Sequence, residues 1–77
     1  MNLTCTHDGE WFFVSHKART LAVYPRNDKY CIGENTAPSE FCDIDGLCDF
    51  ENPQAAIDHA EWMLAALACG IVPRRYS

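Results

Sequence analysis

The stretch Asn52 to Gly70 limits the fold more than any other part of the chain, because it is a long helical pattern that carries both of its end signals. Asn52 suits an N-cap: its side-chain oxygen can accept an N–H that the first turn leaves without an intrahelical partner. Pro53 then falls at the first helical position, where a missing N–H costs nothing. Gly70 stands where a left-handed cap is wanted, and Pro73 blocks continuation. The residues between are rich in Ala and Leu, which are strong helix formers. The pattern predicts a helix over residues 53–69.

At 100° per residue, Ala56, Ala60, Met63, Leu64, Leu67 and Ile71 fall on one stripe, with Ile57 at its margin. That stripe should face a core. The opposite side holds Gln54, Asp58 and Glu61, but also Trp62, Ala55, Ala66 and Cys69, with Ala65 beside them. A helix apolar on two sides is either covered twice or offers one side to a partner. Two arrangements satisfy this: a loop or the N-terminal segment folds over Trp62, or Trp62 anchors self-association or partner binding.

Upstream, the chain alternates as strands do. Leu3-Thr4-Cys5-Thr6 and Glu10-Trp11-Phe12-Phe13-Val14-Ser15 flank His7-Asp8-Gly9, and Asp-Gly between alternating residues is a strong hairpin signal. Lys17-Ala18-Arg19 leads to Thr20-Leu21-Ala22-Val23-Tyr24, and Pro25-Arg26-Asn27-Asp28 is turn chemistry before Lys29-Tyr30-Cys31-Ile32. These signals predict an α+β fold: a small antiparallel meander of three or four strands, at residues 2–6, 10–15, 20–24 and 29–32, packed on one C-terminal helix. Seventy-seven residues make a single domain, one short enough to be marginal alone unless tightly packed or oligomeric. On the second strand Trp11 and Phe13 point to one face, and Phe12 and Val14 to the other. One helix covers one face, so strand and helix each carry more apolar surface than a single core uses.

Residues 33–51 read as an acidic loop, long for a connection. Phe41, Ile44, Leu47 and Phe50 recur every three residues within it, a spacing that one short helical turn would dock on the core.

The charge is unevenly placed. The chain carries −5 in all, and residues 30–73 hold eight acids with no Lys or Arg. Such a segment repels phosphates and attracts basic protein surfaces, so no direct nucleic-acid binding is expected. No apolar run approaches the ~20 residues of a membrane span, and the first residues lack a signal peptide's regions, so the expected compartment is cytoplasmic. Five cysteines are an odd number without a secretory signal, which favours reduced thiols over a disulfide framework.

Chemical motifs are sparse. Cys42 and Cys48 have five residues between them, outside the usual zinc-knuckle spacing, although Cys5, Cys31, His7, His16 or His59 could add ligands in space. Asp43-Ile44-Asp45-Gly46 lacks the remaining ligands of a calcium loop and reads as an Asp-Gly turn. No phosphate-binding glycine loop and no Cys–His or Ser–His signature stands out, so no cofactor, metal or enzymatic activity is expected. A metal-stabilised, cysteine-rich zinc module is the alternative reading, and a small thiol enzyme a more distant one.

What remains is the acidic tract interleaved with aromatic residues. Glu40, Phe41, Asp43, Asp45, Asp49, Phe50, Asp58, Glu61 and Trp62 form the expected partner-binding set: carboxylates to meet a basic protein groove, rings to anchor in it. The sheet followed by Phe50 to Ala60 resembles minimal sheet-plus-helix modules, integrase arm-binding domains among them, but lacks their basic sheet surface. In size and acidity, though not in residues, the chain is similar to phage-encoded inhibitors of bacterial defence such as anti-CRISPR proteins. The expected function is a non-enzymatic inhibitor or modulator of a basic protein, acting as a homodimer through its helix or sheet face.

Overall fold

A computed structural model describes residues 3–37, 40–44 and 46–71. Five strands, β1 (Thr4–Asp8), β2 (Trp11–His16), β3 (Arg19–Arg26), β4 (Lys29–Ala37) and β5 (Glu40–Asp43), precede one helix, α1 (Pro53–Ala68). The sheet is antiparallel throughout and its spatial order is the chain order, β1-β2-β3-β4-β5. The α+β meander with a C-terminal helix thus holds, with one strand more than the three or four expected from the sequence.

Two of the hairpins are set by local turn chemistry. Asp8 pairs with Trp11 across Gly9-Glu10, and Gly9 takes the positive φ that this tight connection demands. Asn27 and Asp28 both have positive φ (50° and 65°), the signature of a type I′ turn, whose twist matches that of the strands it joins. The helix ends follow the sequence signals closely. Ala55 N donates to the Asn52 side chain at 2.8 Å, and Pro53 opens the first turn. At the far end Ile71 N donates to Ala66 O (2.8 Å) and Gly70 N to Leu67 O (3.1 Å), with Gly70 at φ +81°; this is a Schellman cap.

One face of the sheet packs on α1. Val14, Leu21, Val23 and Ile32 meet Ala56, Ile57, Ala60, Met63 and Leu64, with Ile44 and Leu47 closing one side. Ile71 does not continue the helical stripe. The left-handed cap at Gly70 turns the chain away, and Ile71 is 59% exposed. Ala66, placed by the wheel on the outer side, is buried.

The expected acidic loop over residues 33–51 is largely ordered backbone. β4 runs on to Ala37 and β5 returns beside it, with a register shift between Asn35 and Ala37. Past Asp43 the chain folds back along the edge of β4: Ile44 N donates to Ile32 O, Ile32 N to Leu47 O, and Tyr30 and Phe50 exchange both of their backbone bonds. Among the described residues no helical turn docks Phe41, Ile44, Leu47 and Phe50 together. Ile44 and Leu47 enter the core, Phe50 packs at its margin, and Phe41 lies on the other side of the sheet.

Candidate interaction surface

Strand alternation sends Phe12 and Val14 toward the helix and Trp11 and Phe13 to the open face. The pairing register extends that face across the sheet. Phe13 is opposite Ala22, Ala22 opposite Gly33, and Gly33 opposite Asp43, while Tyr24 and Phe41 stand on the same side two residues along their own strands. Four rings gather there. Trp11 stacks on Tyr24 (centroids 4.5 Å, planes 17° apart), Phe41 meets Trp11 edge-on (6.3 Å), and Phe13 lies 5.7 Å from Phe41.

Two small residues make this cluster possible. Ala22 and Gly33 are buried beneath it, although among the described residues no helix covers this face. A Cβ on Gly33 would stand 3.0 Å from Tyr24 Cε1 and 3.2 Å from Cys42 O, so the tyrosine ring lies flat only because position 33 has no side chain. The rings form a thin layer of their own and still leave surface to solvent: Trp11 is 39% exposed, and Phe13, Tyr24 and Phe41 are half-buried.

A second apolar patch lies on the helix side. Trp62 is 53% exposed and touches His59, which in turn touches Phe50 (ring centroids 5.5 and 5.4 Å). Among the described residues, neither a loop nor the N-terminal strand covers Trp62.

The partner-binding residues expected from sequence therefore fall on two surfaces. Phe41 and Asp43 belong to the open sheet face, while Glu40, exposed at the start of β5, alternates with Cys42 to the other side. Phe50, Asp58, Glu61 and Trp62 lie on the helix side. Asp49 is exposed in the returning connection, and Asp45 lies outside the described residues. The members missing from the expected partner-binding set are Trp11, Phe13 and Tyr24, with the Ala22/Gly33 floor beneath them. The outward pair Trp11 and Phe13 was the available signal, and Tyr24 shares their alternation on the neighbouring strand.

Among the described residues, three of the four Lys and Arg side chains are engaged. Arg19 pairs with Glu34 (3.8 Å), Arg26 with Asp43 and Lys29 with Glu51. Asp8, Glu10, Asp28, Glu40, Asp49, Asp58 and Glu61 have no ion-pair partner among the described residues, so the surface is predominantly anionic. Concave features are shallow. A groove of about 200 Å³ lies between the β2–β3 turn and the helix end, lined by His16, Lys17, Arg19, Leu64 and Leu67.

No cysteine is in a disulfide. The thiol that faces Cys48 belongs to Cys31, not to Cys42, because Asp43 and Cys42 alternate to opposite faces of β5 and the returning connection lays Cys48 beside β4. Burial, together with the hydrogen bond and charge of Cys31, pushes the Cys48 thiol up to about 11, against the opposing pull of Arg26.

No family model matches this sequence, and neither curated proteins nor solved structures provide a match. No helix of the described residues is long and apolar enough to cross a membrane.

Proposed function

We propose that this chain is a non-enzymatic protein-interaction module, a small acidic inhibitor or modulator that docks its open sheet face on a basic protein surface. The observation that carries the reading is the four-ring layer of Trp11, Phe13, Tyr24 and Phe41, partly exposed on a face that, among the described residues, no helix covers. Aromatic side chains bury roughly 150–250 Å² each, and such rings supply the desolvated centre of an interface of about 800 Å² per partner. Asp8, directly opposite Trp11, and Glu10 in the adjoining turn supply carboxylates that steer a cationic partner and reject a polyanion. Rings that stack bases can look similar, but three of the four described Lys and Arg side chains are tied to carboxylates, which leaves little charge for a phosphate backbone.

The mechanism is occlusion: the rings cover a site on the target that serves another ligand, nucleic acid included, in the manner of phage-encoded anti-defence proteins. Self-association falls to the opposite side, where Trp62 stands out from the helix. Partner capture with tagged protein tests the reading. A protein retained by the parent chain, lost with Trp11→Ala or Phe41→Ala and weakened by salt supports it. Capture unchanged by both substitutions and by salt, or tight binding of oligonucleotides, refutes it.

A further inference from the structure

Three metal-ligating side chains from separate parts of the chain converge at the edge of β4, on the open face beside the ring layer, where Cys31 is the cross-strand partner of Tyr24. They are Cys31 of β4, Asp43 at the end of β5 and Cys48 of the returning connection, and their ligand atoms all lie within 4.8 Å of one another. Tetrahedral zinc with Zn–S near 2.3 Å and Zn–O near 2.0–2.2 Å holds its ligand atoms about 3.5–3.8 Å apart, so rotations of about 1 Å would close the set. We propose that Cys31, Cys48 and Asp43 bind one thiophilic divalent cation, zinc by ligand type, with water in the fourth position on the solvent side.

The charges favour it. Two thiolates and one carboxylate bring three negative charges; a dication leaves one, and Arg26, paired with Asp43, cancels it. Arg26 pairs with Asp43 Oδ2 and also faces the Cys48 thiol, so it stands beside the site as an outer partner of two of its ligands. The site would tie the four-residue edge strand β5 and the connection after it to β4, a staple of the kind small domains use. This inference stands apart from the proposed docking role and reverses the sequence-level expectation of metal-free thiols.

The test uses the full chain, reduced, stripped with chelator and titrated with Co²⁺ and then Zn²⁺. The expected result is one Co²⁺ per chain with thiolate-to-metal charge-transfer absorption, displaced by an equivalent of Zn²⁺. Cys48→Ser should weaken binding about 100-fold or more and Asp43→Asn about 10-fold, while Cys42→Ser, on the other face of β5, should change it less than about 2-fold. Because Cys31 is fully buried, Cys31→Ser can fail to fold; Cys48 is half-buried and its variant carries the test. Absence of thiolate–Co²⁺ absorption, a Cys42→Ser loss equal to that of Cys48→Ser, or oxidation to a Cys31–Cys48 disulfide with no metal uptake in the reduced state would each overturn the assignment.

Discussion

Gly33→Ala probes the floor of the aromatic layer with a single methyl group. Its Cβ would stand 3.0 Å from Tyr24 Cε1, 3.2 Å from Tyr24 Oη and 3.2 Å from Cys42 O. The carbonyl belongs to the paired strand and has little freedom, so the tyrosine ring must lift. Lifting it disrupts the 4.5 Å stack on Trp11, worth about 0.5–1.5 kcal/mol, and crowding of this kind costs roughly 1–3 kcal/mol. Against this, alanine restricts the unfolded chain and returns about 0.4–1 kcal/mol. The net expectation is a loss of about 2 kcal/mol, which lowers Tm by roughly 8–16 °C in a domain of this size. Urea melts followed by circular dichroism measure it. The decisive comparison is the same change made in a Tyr24→Ala background, where only the Cys42 carbonyl still crowds the methyl group. There the cost should fall below about 1 kcal/mol, giving a coupling of at least about 1 kcal/mol. A neutral or stabilising Gly33→Ala, or one equally costly in both backgrounds, would show that the ring does not rest on position 33.

Two further outcomes are expected. Asp28→Gly should stabilise the chain by about 0.5 kcal/mol, because glycine adopts the φ of +65° at the second position of the type I′ turn without steric cost; a drop in the urea midpoint would contradict this. The Cys48 thiol, raised from 9.0 to about 11, should carry about 100-fold less thiolate at pH 8 than an ordinary cysteine, so in chelator-treated protein it should react with a disulfide reagent far more slowly than the exposed Cys5, Cys42 and Cys69. The sign of the linkage is that of a raised pKa: the contribution to stability is complete below pH 9 and fades as the pH rises toward 11. Peptide mapping of the labelled sites over time checks the order.

The parts of the fold that sequence reading captured are those fixed by neighbouring residues. Asn52, Pro53 and Gly70 set the helix ends through bonds within a few residues, and Asp8-Gly9 and Asn27-Asp28 set their hairpins in the same way. The fifth strand escaped because Glu40-Phe41-Cys42-Asp43 is too short to show a period, and its pairing with β4 passes through a register shift at Asn35/Ala37. The recurrence of Phe41, Ile44, Leu47 and Phe50 imitated a helical turn while the four residues serve different neighbours. The same long-range return of the chain pairs Cys48 with Cys31, a relation that counting residues from Cys42 does not reveal. The excess of apolar surface was legible in the outward Trp11/Phe13 pair and in Trp62, but its assembly into one four-ring layer depended on register.

Because each strand pairs with the one made just before it, hairpins can zip up in the order of synthesis with little loop entropy to overcome. The helix that shields Val14, Leu21, Val23 and Ile32 is encoded after all five. A ribosome would thus extrude a nearly complete sheet whose greasy underside stays bare until residues 53–68 emerge, and a premature stop before Asn52 should yield aggregates rather than a smaller working protein.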